Sequence, residues 1–254
     1  ANGMRGIALT DHGNMFGIKE LTDYVNKKNK DVDGEIKNLK KTIEELKSAD
    51  AVDQEALSKA KTALKEAESK IFTPIIGCEM YVADNDMTDR SNKKDIGRHL
   101  IVLAKNQHGY HNLIKLVSNA WTDGYYYHPR TDKKQLEKYH EDLIVCSACL
   151  GGEVPKLITA GHIEEAEKSI LWFKKVFGED YYLELQRHKA TVARANQEAY
   201  PLQQEVNKVL IEMSKKHNIK LVCTNDVHFV NEEDAEAHDR LICVSTGTFL
   251  DDDK

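Results

Sequence analysis

Leu221-Val-Cys-Thr-Asn-Asp-Val-His228 ends a short apolar run with a carboxylate and an imidazole two residues apart. Alternate residues of an extended segment share a face, so Asp226 and His228 leave the end of that strand together. Ile7-Ala-Leu-Thr-Asp-His-Gly13 repeats the design near the other end of the chain: an apolar strand, then Asp11 and His12, then a glycine that permits a tight turn. Two such strands, distant in sequence, predict one metal-binding rim at the carboxyl ends of a β/α fold. Hard cations need carboxylates and borderline ones accept imidazole, so the pair suits zinc, manganese or iron.

Outward from these two runs, apolar stretches of strand length recur at 75–82, 100–104, 143–147 and 181–185. Helical patterns lie between them at 110–120, 162–177 and 191–217. Strands alternating with helices predict an α/β fold with a largely parallel sheet and helices packed against it. A barrel is favoured, because six strands contribute to one rim and βα loops converge there. One strand is expected to differ. His99 stands before 100–104, at its amino end, and reaches the rim only if that strand returns antiparallel beside 75–82. The polar connection 83–98 suits such a hairpin-like excursion.

The stretch 27–70 breaks the rhythm. Ile36, Leu39, Ile43 and Leu46, then Leu57, Ala60, Leu64, Ala67 and Ile71, fall at alternating spacings of three and four. This predicts an antiparallel helical hairpin inserted in a domain spanning 1–254, with Ser and Asp caps in the turn at 48–53. The hairpin carries no His or Cys and reads as an accessory protrusion, with a partner-binding role as the alternative.

At 254 residues the chain can bury a full core. A net charge of -6 argues against a sequence-independent grip on nucleic acid by this chain alone, although a basic partner or further domain would supply one. No window resembles a membrane span or a signal peptide. Cys78, Cys146, Cys149, Cys223 and Cys243 are odd in number and mostly in or beside apolar strands. They read as reduced thiols of a cytosolic protein rather than a disulfide framework.

Glu79 lies between apolar neighbours in Ile75-Ile-Gly-Cys-Glu-Met-Tyr-Val82, where a carboxylate is costly unless it is paired or holds a metal. Cys146 and Cys149 form a C-x-x-C with no second copy in the chain. Cys146 reads as core and Cys149 as a single ligand in a mixed site. Glu184, Gln186 and His188 alternate on one face, and Glu184 and His188 are candidates for supporting contacts behind the ligands. Asp11 either supports the site or caps the following helix. His108, His111, His128, His140, His162, His217 and His238 read as surface residues. Nothing resembles a phosphate-cradling glycine loop, a dinucleotide fingerprint or a serine elbow. Metal-assisted hydrolysis, most naturally of a phosphate ester, is the chemistry that remains.

In combination and order, Ala8-Leu-Thr-Asp-His-Gly-Asn-Met-Phe-Gly17, Pro74-Ile-Ile-Gly-Cys-Glu-Met-Tyr81, Arg98-His-Leu-Ile-Val-Leu-Ala-Lys-Asn106, Cys149-Leu-Gly-Gly-Glu-Val154 and Thr224-Asn-Asp-Val-His-Phe229 carry a family resemblance. The chain resembles the PHP (polymerase and histidinol phosphatase) domain, in the form found at the amino end of bacterial replicative DNA polymerase III alpha subunits. The resemblance implies a distorted seven-stranded, TIM-like β/α barrel with up to three divalent metals on its rim. His12, Glu79 as a bridging carboxylate, His99, Cys149, Asp226 and His228 would be the ligands. It further implies DNA replication, with a metal-dependent phosphoesterase acting as a 3′–5′ exonuclease in the intact parent. The implied partners are the remainder of a polymerase chain and a DNA primer terminus. The alternative is a non-catalytic scaffold that stabilises the polymerase and docks a separate proofreading exonuclease; a small-molecule phosphatase is a third reading. The family's first motif, a His-x-His pair on the first strand, should precede Ala1. The expectation is therefore a piece of a longer protein, lacking that strand and only partly loaded with metal.

Overall fold

A computed structural model describes residues 3–49, 51, 53–189 and 199–250. Its elements begin with β1 (Gly6–Leu9), α1 (Ile18–Ser48), α2 (Gln54–Lys70), β2 (Thr73–Val82), β3 (Arg98–Ala104) and α3 (Gln107–Thr122). There follow β4 (Tyr125–Tyr126), β5 (His128–Thr131), α4 (Lys133–Lys138), β6 (Leu143–Cys146), α5 (Glu153–Thr159) and α6 (Ile163–Phe177). The chain continues through β7 (Tyr181–Gln186), α7 (Ala199–His217), β8 (Lys220–Thr224) and α8 (Ala235–Thr246). The expected start of the helix at 191 lies outside the described residues, as do residues 50 and 52 of the expected hairpin turn.

Strand β2 is the hub. Its first half pairs in parallel with β1, and its last two residues pair in parallel with β5. Strand β3 runs antiparallel along it, with Tyr81 opposite His99 and Glu79 opposite Ile101. The order β4-β5-β2-β3-β6-β7-β8 follows, with β6, β7 and β8 mutually parallel. The result is a curled α/β sheet of the distorted TIM-like kind expected, and β3 is the strand that runs against its neighbours.

Alternation along β2 and β3 sorts their side chains. Cys78, Met80 and Val82, with Leu100 and Val102, join a core built against Leu113 and Leu116 of α3, Ile170 and Phe173 of α6, and Leu210 of α7. Burying each such side chain contributes roughly 1.5–3 kcal/mol. Glu79 and Tyr81 project from the other face. Helices α3, α6 and α7 pack on the strands they connect.

The β4–β5 ribbon was not legible in the sequence. Its strands are two and four residues long, too short for periodicity to register. Arg130 in β5 is fully buried and donates to the carbonyls of Asp95 and Met87 (both 2.9 Å) and Asp89 (2.8 Å). One guanidinium thereby tethers the polar excursion between β2 and β3, and its charge meets Asp95 Oδ2 at 3.4 Å.

Helices α1 and α2 pack together as a hairpin whose seam buries Ile43, Leu57 and Ala67. The first helix starts at Ile18 rather than 27. There the Asp11 carboxylate accepts the Gly17 N–H (3.1 Å) and buried Ile18 begins the turn. Asp53 caps α2 by accepting from the Glu55 and Ala56 N–H groups (both 3.0 Å). At the hairpin base Asn29 bonds both the N–H and the C=O of Phe72 (3.1 and 2.8 Å).

Candidate metal centre

Backbone hydrogen bonds carry the segment after β1 onto the middle of β2. Glu79 N–H donates to Asp11 O (3.0 Å) and Gly13 N–H donates to Glu79 O (2.8 Å), which seats His12 beside Glu79. Gly13 adopts φ +65°, and a Cβ there would stand 2.6 Å from Pro129 Cγ. On the other side of β2, the antiparallel return of β3 brings His99 to the same rim, as the sequence required. The turn after β6 closes on it, with His99 N–H donating to Gly151 O (3.1 Å).

These elements bring three donors of different chemistry together. His99 Nδ1 lies 2.5 Å from Glu79 Oε1 and 3.3 Å from Cys149 Sγ. One ligand atom from each of Glu79, His99 and Cys149 lies within 4.8 Å of the other two. That is close to the span of two ligands bound about 2.0–2.3 Å from a shared ion. Glu79 is 4% exposed, and its Oε1 accepts no hydrogen bond; the close imidazole nitrogen lacks hydrogen-bond geometry toward it. A buried carboxylate oxygen without a donor is costly unless a cation meets it. The cluster therefore fits a divalent metal, and its mixed oxygen, nitrogen and sulfur donors suit a borderline one.

The other carboxylate oxygen faces a second group. Glu79 Oε2 is 3.6 Å from His12 Nδ1, and the His12 ring stacks on His228 with centroids 5.6 Å apart. His228 Nε2 is 3.5 Å from Asp226 Oδ1, and Asp226 adopts φ +49°. All six expected ligands thus gather around Glu79.

In the metal-free chain the electrostatics are those of a site short of positive charge. Burial works to raise the Glu79 pKa, but contact with His99 and the charges of His99, His12 and His228 outweigh it and hold it below the usual carboxylate value. Burial works against a charge on His99, yet the Cys149 and Glu79 contacts push its pKa up to about 10. A proton on His99 thus occupies the electrostatic niche that a metal would take over.

The supporting residues divide. Glu184 is buried; its Oε2 accepts from Ala148 N–H (3.0 Å), and its Oε1 accepts from Gln186 Nε2 (3.3 Å) and from the Thr224 hydroxyl. It thereby links the turn carrying Cys149 to the strand end carrying Asp226. Burial raises its pKa, against the hydrogen bonds it accepts. Asp11 turns to the start of α1 instead. His188 engages Gln203 through its backbone N–H (2.8 Å) and its ring (2.9 Å) rather than the cluster.

Three neighbours of the cluster escaped the sequence reading. Tyr81 places its hydroxyl 3.3 Å from His12 Nδ1, and the alternation that exposed Glu79 also points to residue 81. His128, read as a surface residue, stacks on Tyr81 at 4.5 Å; burial, then the charges of His99 and His12, lower its pKa. His238, on α8, lies 5.7 Å from the His228 ring. No local pattern marks either histidine, because β5 and α8 reach the rim only through tertiary packing.

The profile of the family described as PHP domain matches residues 1–188. Proteins named DNA polymerase III subunit alpha are similar over nearly the whole chain. The one from Borreliella burgdorferi is 40% identical over 98% of this chain, that from Treponema pallidum 36% over 96%, and that from Thermus aquaticus 36% over 97%. This chain covers only 16–17% of those relatives' own lengths.

Proposed function

This chain belongs to the PHP domain family, and from that premise we propose that it is the metal-dependent phosphoesterase domain of a replicative DNA polymerase III alpha chain, removing nucleotides from the 3′ end of a DNA primer. Zinc, manganese or iron is the metal class the donors favour. The observation that carries the reading is Glu79, a buried carboxylate with one oxygen toward His99 and Cys149 and the other toward His12. Such an arrangement suits a bridging ligand between metals rather than a structural ion pair. The similarity to polymerase alpha subunits along 94–98% of the chain supports DNA as the substrate.

A divalent metal held there would act as a Lewis acid on a phosphoryl oxygen and make water a better nucleophile at neutral pH. His12, His99, Cys149, Asp226 and His228 would hold and orient it around Glu79. Glu184 fixes the spacing of the Cys149 and Asp226 segments through its hydrogen bonds to Ala148 and Thr224. The Tyr81 hydroxyl orients the His12 ring. The α1–α2 hairpin lies apart from these six residues in the sequence, and we read it as an insertion in one domain spanning 1–254.

The test is hydrolysis of a 5′-labelled single-stranded oligonucleotide with manganese and with EDTA, by the chain and by the longer polymerase polypeptide. Shortening from the 3′ end that needs metal and is lost in Glu79→Gln and His228→Ala is the expected result. Shortening that survives EDTA, or persists in both variants, would sink the reading. Variants that merely lower the melting temperature of a chain with no nuclease activity would favour the scaffold alternative.

A further inference from the structure

The β4–β5 ribbon abuts the metal-loop residues. Trp121, at the end of α3, donates its indole N–H to the carbonyl of Gly13 (2.7 Å), the residue after His12. Its ring stacks on Tyr125 at 5.5 Å and 23°, and both rings are roughly half exposed. Between the two strands stands Tyr127, 65% exposed and held at φ +59°. Bulky side chains rarely occupy that region, and a two-stranded turn would ordinarily place Gly or Asn there. Three solvent-facing rings fixed beside a metal centre resemble neither a core nor a routine surface.

Charge lies alongside. Arg130 ties the excursion 83–97 to the back of the ribbon, with its guanidinium 5.1 Å from the Tyr126 ring. The acids of that excursion are engaged: Asp84 with Arg98, Asp86 with Thr88 and Lys134, Asp89 with Ser91, and Asp95 with Arg130. Arg90, Lys93 and Lys94 are exposed and pair with no acid among the described residues. Rings for base faces beside unpaired cations for phosphates make the combination by which single strands are held without sequence preference.

We propose that this ribbon and the neighbouring excursion form a single-stranded DNA subsite beside the metal centre. Trp121, Tyr125 and Tyr127 stack unpaired bases, and Arg90, Lys93 and Lys94 take the phosphates that follow. The choice of DNA rests on the phosphoesterase reading above. A paired primer end keeps its bases in the helical stack, whereas an unpaired one offers free faces to the rings, so the subsite discriminates for frayed ends.

The test measures binding of a fluorescein-labelled oligodeoxythymidylate by anisotropy in EDTA, where nothing is cleaved. The chain is compared with a Tyr125→Ala/Tyr127→Gly double variant and a Tyr125→Phe/Tyr127→Phe double variant. Glycine accepts φ +59° without strain, so the first variant is expected to melt no lower than the parent. Trp121 is left intact to keep its bond to Gly13. Loss of the two rings weakens binding roughly tenfold and the phenylalanine pair retains it. Equal affinity in all three proteins, or no binding by the parent, overturns the subsite. The phosphoesterase reading fails separately. Binding that follows the rings in a chain that never cleaves keeps the subsite and discards the activity, and cleavage without ring dependence does the reverse.

Discussion

A Cβ placed on Gly151 would stand 2.6 Å from His99 Nδ1, so the turn after β6 and the start of β3 meet with no room for a side chain. This contact holds Cys149 against His99. Gly151→Ala should leave the fold intact, because His99 is partly exposed and its ring can swing outward. That swing breaks the cluster of Glu79, His99 and Cys149. Zinc affinity, measured by competition with a chromogenic chelator, should fall about tenfold or more, as when a ligand loses its positioning contact. Unchanged affinity would mean that this cluster is not where the metal binds.

Metal content after dialysis addresses the cluster directly. The chain should retain zinc or manganese by elemental analysis, and Cys149→Ala or Glu79→Gln should lower the retained amount. Glu79→Gln also removes a buried negative charge that faces three histidines. The metal-free variant should therefore lose the raised titration of His99, visible as an imidazole resonance titrating nearer its ordinary pKa.

Glu184 offers acceptors to Ala148 N–H and to the Thr224 hydroxyl. Glu184→Gln puts an amide N–H against one of those donors, because a glutamine presents only one acceptor atom. An unsatisfied buried group costs about 1–3 kcal/mol, so urea unfolding should show a loss in that range. Loss of metal without loss of stability would show that Glu184 positions the ligands without bracing the fold.

Thiol chemistry distinguishes the cysteines. Burial first, then the charges of Glu79 and Asp11 for Cys78 and of Glu184 for Cys146, push both pKa values up to about 12. At pH 8 only ~0.01% of such a thiol is thiolate, the reactive form. Iodoacetamide at that pH should modify exposed Cys223 and spare Cys78 and Cys146 until urea unfolds the chain, as read by peptide mass spectrometry. Rapid native labelling of Cys78 would contradict the packing of β2.

The α1–α2 seam is thin, so one truncation should loosen it locally. Ile43→Ala removes a buried anchor, and a loss of about 2 kcal/mol is expected, the low end for such a change. Amide exchange within α1 and α2 should speed up roughly thirtyfold while the β2 and β3 amides keep their protection. Loss of protection in β2 would show that the hairpin and the sheet unfold together.

Much of the site was legible because its residues end strands. Asp226 and His228 share a face by alternation, His12 follows an apolar run, and Glu79 is a carboxylate in an otherwise apolar strand. The antiparallel return of β3 was legible too, since His99 lay at the wrong end of its strand for any parallel arrangement. The ribbon was not, because Tyr125–Tyr126 and His128–Thr131 are shorter than a reliable period. Helix α5 likewise spans only seven residues. The start of α1 was misplaced because what extends it to Ile18 is the carboxylate of Asp11, a contact outside any helical pattern.

Residue order alone determined the strand and helix rhythm, the hairpin seam and the identity of six donors, because each depends on neighbours within a turn or a strand. Only the tertiary structure decided which donors share a partner. Glu79 Oε1 meets His99 and Cys149, while Oε2 meets His12, and these residues come from four separate segments. It likewise decided that Tyr81, His128 and His238 join the rim, and that Trp121 and Tyr127 stand beside it. Distances between side chains on different strands follow from register and packing, and no periodicity along the chain encodes them.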